Sequence, residues 1–117
     1  MIDKSKIKTE ADVRKALAGR SEFEKDVYVA TFKIPRGMVS TYGRIAKKIG
    51  RPRAVRAVAS TLRKNPLYPV VPCHRVVRAD GSFGGDSMRA SGRRSSCAEE
   101  GVPIEDGKVK MRPEIVY

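Results

Sequence analysis

Tryptophan is absent from this 117-residue sequence, histidine occurs once and cysteine only twice. A closed structural zinc site needs four ligands at paired spacings, so these residues predict no metal site. No stretch approaches the roughly 20 apolar residues of a membrane span, and no apolar run follows the charged N-terminus. We therefore expect no membrane association, a cytoplasmic location and free thiols in a reducing compartment.

Acidic residues are also scarce, because 13 Asp and Glu stand against 25 Lys and Arg, for a net charge of +12. The basic residues run from Lys4 to Arg112 without forming a tail. A folded domain with this charge favours polyanions, above all nucleic acid, in a salt-sensitive manner. Solubility alone is the alternative explanation. The length predicts one domain over residues 1–117, which we expect to be monomeric.

Apolar spacing predicts a short helix over residues 11–18 and a longer one from Ser21 to Ile34. Ser21 can cap the second helix by accepting the amide of Glu24. Ser40 or Thr41 can cap a third helix that ends before residue 50.

A fourth helix is predicted to start at Pro52, which suits a first helical position, and to end before Asn65-Pro66. Two short helices around a glycine turn predict a helix-turn-helix. One side of the fourth helix is apolar and the other is basic with small residues. The apolar side holds Ala54, Val55, Val58, Ala59 and Leu62, and the basic side holds Arg53, Arg56, Ala57, Ser60, Arg63 and Lys64. The small residues would let the helix backbone approach a groove of nucleic acid closely. The alternative is that this side of the helix is only a solvated basic face.

The remainder of the chain predicts short extended segments on both sides of a turn at Cys73, a permissive loop at Gly84-Gly85 and a weak helix over residues 87–99. Asp106-Gly107 predicts a hairpin that could serve as a wing. The expected fold class is therefore α+β, mainly helical, with a winged helix-turn-helix and small β-hairpins.

Cys73 stands directly beside His74, the only histidine, inside an apolar run. A thiol becomes a useful nucleophile as the thiolate, which a neighbouring imidazole or cation favours. The alternative is a small packing cysteine beside a histidine that only satisfies a backbone carbonyl.

Five segments together resemble the DNA-binding and active-site domain of the 6-O-alkylguanine-DNA alkyltransferases, over residues 23–101. They are IPRGMVSTY at 34–42, AVRAV at 54–58, NP at 65–66, PCHRVV at 72–77 and EG at 100–101. The resemblance implies a repair protein that flips an alkylated guanine out of duplex DNA and takes the alkyl group irreversibly onto its own cysteine. It implies no cofactor. It divides the domain into an extension with a short helix (1–20), the alkyltransferase-type core (21–101) and a hairpin or tail (102–117).

The same resemblance implies the catalytic roles. Cys73 would be the acceptor thiolate, His74 would draw its proton through a bound water, and Glu100 would orient the imidazole. Asn65 would hold together the segments around the active-site turn, although it could equally be a simple helix stop.

Arg56 would enter the duplex and fill the space of the flipped base, and Tyr42 would press on the target's phosphate. Tyr42 could instead be a core residue. The full set of predicted DNA-binding residues is Tyr42, Arg53, Arg56, Ala57, Ser60 and Arg75, and the predicted pocket residues are Tyr42, Val76, Phe83 and Ser87.

The loop over residues 84–89 departs from the family, whose members usually have a tyrosine and a glycine pair in the loop that walls the guanine pocket. Asp86, Met88 and Arg89 stand in this region here, followed by Arg93 and Cys97 on the last predicted helix. We expect the substrate range or the transfer step to differ at this loop, and we expect Cys97 to be a packing residue.

A second hypothesis is that the chain resembles the short alkyltransferase-like proteins, which bind alkylguanine without repairing it and flag it for excision repair. These proteins are small, as this chain is, and their tail is similar to residues 100–110 here. Excision-repair proteins would then be partners. They usually carry tryptophan or alanine in place of the acceptor, so Cys73 favours alkyl transfer. A third hypothesis, a winged-helix DNA binder without lesion chemistry, leaves Cys73, His74 and Glu100 unexplained.

Overall fold

Five α-helices surround two small β-sheets in the part of the chain that the structure, a computed structural model, describes: residues 3–117. The helices are α1 (Glu10–Ala16), α2 (Glu22–Phe32), α3 (Tyr42–Lys48), α4 (Val55–Arg63) and α5 (Ser87–Glu99). The strands are β1 (Ser40–Thr41), β2 (Val76–Val77), β3 (Ile104–Glu105) and β4 (Lys108–Val109), and short 3₁₀ helices cover Lys4–Lys6, Cys73–Arg75 and Pro113–Ile115. The predicted fold class, α+β and mainly helical, is confirmed. None of the helices within residues 3–117 is both long and apolar enough to cross a membrane.

Side-chain caps fix where the first three helices begin. Thr9 accepts the amide of Asp12, whose carboxylate accepts the amide of Thr9, and this capping box starts α1 one residue before the predicted position. Ser21 accepts the amide of Glu24 at the start of α2, as predicted. Of the two candidate caps for α3, Thr41 is the one used, and its hydroxyl accepts the amide of Arg44.

The helix-turn-helix pair is formed by α3 and α4, which pack against each other. The predicted start of α4 at Pro52 is wrong, because residues 51–54 form a turn closed by the Ala54 amide and the Arg51 carbonyl, 2.9 Å apart. The helix therefore starts at Val55, and Val55, at its first position, is 39% exposed instead of packed. Val58 and Leu62 form the buried side as predicted.

Two clusters of buried side chains form the core. The first contains residues from all four helices α1, α2, α3 and α4, among them Tyr28, Ile45 and Leu62. The hydroxyl of Tyr28 donates to the carbonyl of Thr61 at 2.6 Å. The second lies under α5 and includes Phe83 and Cys97. Parallel pairing of β1 with β2, Ser40 opposite Val76 and Thr41 opposite Val77, joins the start of α3 to the segment after Cys73.

The predicted C-terminal hairpin is present as β3 and β4, joined through Asp106 and Gly107 with φ of 53° and 77°. The hairpin packs on the loop after β2, where the Val109 amide donates to the Gly81 carbonyl at 2.9 Å. Lys108 Nζ also lies 3.5 Å from Asp80 Oδ2. The hairpin therefore supports the loop that leads to residues 83–86.

Gly81 and Gly50 allow this contact to be tested, because both have φ in the left-handed region, 87° and 77°. A Cβ on Gly81 would overlap the carbonyl oxygen of Val109, whereas a Cβ on Gly50 would meet nothing within 4 Å. We expect Gly50→Ala to cost roughly 1–2 kcal/mol for the backbone conformation alone. Gly81→Ala should cost clearly more, since the hairpin must also shift. Unfolding free energies from chemical denaturation measure the difference, and equal losses would contradict it.

Candidate functional site

Cys73 and His74 lie in a 3₁₀ turn, Cys73–Arg75, that leads directly into β2. The turn predicted at Cys73 and the extended segment predicted after it, Val76–Val77, are present, whereas residues 69–72 before the turn form no strand. Asn65 holds the preceding segment, because its Nδ2 donates to the Val71 carbonyl at 2.7 Å and its Oδ1 accepts the Leu67 amide at 2.9 Å. This side chain thus connects the end of α4 to the approach to Cys73.

His74 is buried, 4% exposed, and its Nε2 lies 3.0 Å from Oε2 of Glu100. Because an ionised carboxylate only accepts, Nε2 carries the proton and Nδ1 of the neutral ring is an acceptor. Nδ1 is buried without a hydrogen-bond partner among residues 3–117. Burial lowers the pKa of His74, against the opposing effect of Glu100. The ring is therefore neutral near pH 7 and can receive a proton at Nδ1.

Glu100 is held mainly by Arg75, which donates through Nε to Oε1 and through Nη2 to Oε2, both at 2.8 Å. These hydrogen bonds, followed by that of His74, lower the pKa of Glu100 to about 2. Arg36 Nη1 lies 3.7 Å from Oε2 of the same carboxylate. The carboxylate therefore stays ionised and fixes both the orientation and the tautomer of the imidazole.

The position of Arg75 contradicts the DNA contact predicted for it. Its third donor, Nη1, bonds the Ile34 carbonyl at 2.7 Å, and the side chain is only 15% exposed. Both its charge and its geometry are committed inside the protein, so Arg75 positions Glu100. The sequence places Arg75 beside His74 but does not reveal its partner 25 residues away.

The two cysteines differ in exposure and surroundings. Cys73 is 8% exposed, whereas Cys97 is fully buried and its Sγ donates to the His74 carbonyl at 3.1 Å. Burial raises the pKa of Cys97 to about 12. Cys97 is thus a packing residue, as expected, and it attaches α5 to the turn that carries Cys73.

Most of the predicted DNA-binding residues lie on the exposed face of the helix-turn-helix. Arg56, Ala57 and Ser60 are exposed on α4, and Arg53 is exposed on the turn before it. The absence of any cap side chain at Ala54 leaves the start of α4 open to solvent. These four residues form one small-residue and basic face that suits approach to a phosphate backbone.

A cleft of about 260 Å³ lies between Arg56 and its neighbours Ala59 and Arg63 on α4, Tyr42 and the loop that precedes α5. Tyr42 is 8% exposed, and its hydroxyl accepts from Arg93 Nη1 at 3.2 Å. A Cβ on Gly84 would lie 2.7 Å from that hydroxyl, so the loop backbone approaches Tyr42 closely. Tyr42 is therefore a largely buried side chain, in agreement with the core alternative, and it also lines the cleft, while its contact with a phosphate stays a prediction.

The other three predicted pocket residues, Val76, Phe83 and Ser87, do not line a common open pocket. Phe83 is buried in the second core cluster, and Val76 is fully buried, so its side chain cannot line an open pocket. Ser87 is exposed at the start of α5, where Asp86 caps the helix by accepting the amide of Arg89 at 2.9 Å.

Two side chains that the sequence did not single out contact the site. The ring of Tyr68 meets that of His74 edge-on, with centroids 5.7 Å apart. Arg93 reaches from α5 to Tyr42 and to the Gly84 carbonyl, 3.3 Å away. The sequence analysis named Arg93 only as a residue of the last predicted helix and gave no role to either side chain.

The sole histidine gives the site its own pH dependence. Since burial lowers the pKa of His74, the unfolded chain binds more protons just below its ordinary pKa of 6.5. The free energy of unfolding should therefore fall as pH drops from about 7.5 to about 5.5, a range in which few other side chains titrate. Denaturant unfolding at both pH values measures it. His74→Gln should remove most of this slope, and a slope that persists in the variant would assign it to other groups.

Comparison with known proteins gives a family match over most of the chain. The model of the DNA-binding domain of 6-O-methylguanine DNA methyltransferase matches residues 22–102. A methylated-DNA–protein-cysteine methyltransferase from Methanosarcina acetivorans is 49% identical over 74 residues, which are 63% of this chain and 47% of the relative. The chain thus spans about half the length of the curated relatives it matches first.

Solved structures give two kinds of match. The crystal structure of the Mycobacterium tuberculosis O6-methylguanine methyltransferase is 37% identical, with a TM-score of 0.65, over 69% of this chain and 49% of that one. S. pombe Atl1, in complex with damaged DNA containing O6-carboxymethylguanine, is 34% identical, with a TM-score of 0.73, over 84% of this chain and 97% of that one. The match over residues 22–102 agrees with the resemblance predicted over 23–101, and the chain belongs to the 6-O-methylguanine DNA methyltransferase family through its DNA-binding domain.

Proposed function

We propose that this protein binds duplex DNA containing a 6-O-alkylguanine and transfers the alkyl group to Sγ of Cys73. The observation that carries the proposal is the His74–Glu100 pair next to Cys73 in the chain, in which Nδ1 of His74 is buried without a hydrogen-bond partner among residues 3–117. An unsatisfied buried acceptor costs roughly 1–3 kcal/mol, so its retention on the residue that follows Cys73 in the chain is best explained by chemistry.

The transfer is a displacement at the alkyl carbon. Cys73 loses its proton through a water to Nδ1 of His74, and Glu100 stabilises the resulting imidazolium through Nε2. The thiolate then forms the S–C bond while the C–O6 bond breaks, and the guanine leaves as an anion. Proton return to N1 of the base restores guanine and the neutral imidazole. The reaction consumes the thiol, so each molecule acts once, and its balance requires no further reactant.

DNA recognition is assigned to the exposed face of α4. Arg53 and Arg56 supply charge, and Ala57 and Ser60 permit close approach of the helix. Arg56 also lines the cleft with Tyr42, which is where a base leaving the duplex would pass. Flipping costs a few kcal/mol of stacking and pairing, which an inserted arginine and phosphate contacts can offset.

The loop at residues 84–89 determines which alkyl groups are accepted. Asp86 caps α5 instead of presenting an aromatic ring, and Met88 is 84% exposed. The base would therefore be contacted mainly by the backbone of residues 83–85 and by Tyr42. We expect a pocket with less stacking than the family's usual one. The monomeric state and the cytoplasmic location stay predictions.

A second candidate function is lesion binding without transfer, with excision-repair proteins as partners. It is favoured by one observation: the structure matches S. pombe Atl1 with a TM-score of 0.73, compared with 0.65 for the Mycobacterium tuberculosis methyltransferase. Under this hypothesis Cys73 would not accept the alkyl group, although the next residue, His74, is hydrogen-bonded to Glu100. Direct detection of the alkylated cysteine separates the two candidates.

Replacing Cys73 by alanine should abolish transfer and leave lesion binding nearly unchanged, because the proposed DNA contacts come from other residues, on α4 and at the cleft. The measurement is the mass of the protein and of its peptides after incubation with a duplex containing one 6-O-methylguanine. We expect one added methyl on Cys73 of the unaltered protein, with guanine restored. Cys97→Ala is the matched control and should still be methylated. Tight, lesion-selective binding with an unchanged mass would instead support the second candidate.

The two cysteines should also differ in their reactivity towards thiol reagents. Cys97 is fully buried and burial raises its pKa to about 12, so a thiol-directed reagent at neutral pH should label Cys73 first. Peptide mapping of the folded protein, compared with the denatured protein, measures both sites. If Cys97 were labelled as fast as Cys73, the assignment of the nucleophile would be wrong.

A further inference from the structure

Four arginines line the cleft beside Tyr42: Arg56 and Arg63 from α4, Arg78 from the loop after β2, and Arg93 from α5. Among residues 3–117, none of the four has a carboxylate oxygen within 4.0 Å, whereas Arg14, Arg20, Arg36 and Arg75 each have one. The cleft therefore concentrates uncompensated positive charge from three separate elements in about 260 Å³.

Two of these arginines are held in place by neutral groups. Arg93 Nη1 donates to the Tyr42 hydroxyl at 3.2 Å and to the Gly84 carbonyl at 3.3 Å. Arg78 Nη1 donates to the Phe83 carbonyl at 3.2 Å and to Ser82 Oγ at 3.4 Å. Each guanidinium carries five N–H donors, so donors remain on both side chains for a further acceptor. Fixed guanidinium groups without an acidic partner are suited to bind an oxyanion.

We propose that this arginine-lined cleft is an oxyanion site for the flipped nucleotide, anchored by Arg93 and Arg78, and this inference rests on the proposed function. Two oxyanions would be available there: a backbone phosphate next to the lesion, or a carboxylate on the O6 substituent. Arg93 is half-buried and lies beside Tyr42, at the side of the cleft opposite α4. It would therefore contact a nucleotide that has left the duplex, while Arg56 and Arg63 contact the duplex itself.

The test uses Cys73→Ser as the background, so that binding is measured without any transfer. Arg93→Gln is compared with Arg94→Gln, which removes the same charge from the next residue of α5. The Arg94 side chain extends instead towards the β3–β4 turn at Gly107. Arg93→Lys keeps the charge and should retain most of the affinity. Three duplexes are used: one with 6-O-methylguanine, the same duplex with neutral methylphosphonates flanking the lesion, and one with 6-O-carboxymethylguanine.

If the oxyanion is a phosphate, Arg93→Gln should weaken binding of the methylguanine duplex about tenfold or more, since a charged hydrogen bond is lost. The slope of log K against log salt should fall by about 0.9, as for one phosphate contact. The loss should disappear on the methylphosphonate duplex. If the oxyanion is the adduct's carboxylate, the loss should occur only on the carboxymethylguanine duplex. Arg94→Gln should show neither pattern.

The proposal is overturned if Arg93→Gln binds all three duplexes like the background protein, or if Arg93→Gln and Arg94→Gln lose affinity equally. Thermal unfolding of each variant shows whether Arg93→Gln folds. If it does not, Arg78→Gln is taken through the same three duplexes and judged by the same outcomes. Failure of the proposed function is seen separately, as an unmethylated Cys73 in the unaltered protein or as equal affinity of the background protein for damaged and undamaged duplexes.

Discussion

The carboxylate of Glu100, at the end of α5, is the group on which the geometry of the site depends. It accepts two hydrogen bonds from Arg75 and one from His74, and Arg75 in turn bonds the Ile34 carbonyl after α2. Three segments distant in sequence therefore meet at one buried charge. Removing one partner of such a pair typically costs about 3–5 kcal/mol because the other charge is left buried. The tautomer of His74 and the local stability are thus controlled by the same contacts.

Positive charge is divided between two environments. Inside the protein, the charge of Arg75 is neutralised by Glu100. This pairing lowers the pKa of the Glu100 carboxyl group and fixes its orientation. On the outside, Arg53 and Arg56 stand without acidic neighbours within 4 Å among residues 3–117, beside small residues of α4. Part of the excess of basic residues is therefore exposed on α4 without acidic partners, whereas the buried charge of Arg75 is balanced by Glu100.

Features specified by neighbouring residues could be predicted from the sequence. The caps at Ser21 and Thr41, the packed side of α4 and the turn at Asp106-Gly107 depend on contacts within a few positions. The start of α4 was missed because a proline that suits a helical start also suits a turn. The partners of Arg75 and Arg93 could not be predicted, since they lie 25 and 51 residues away. Tertiary packing alone decides such contacts.

The single histidine has a practical consequence for spectroscopy. Because His74 is the only imidazole of the chain, its ring signals in a nitrogen-15 NMR spectrum need no assignment by mutagenesis. The two ring nitrogens differ in environment, since one faces Glu100 and the other has no partner in the part of the chain that the structure describes, so their shifts would report the tautomer directly. Events at the neighbouring thiol, and ligands entering beside it, could then be followed in real time on one pair of resonances.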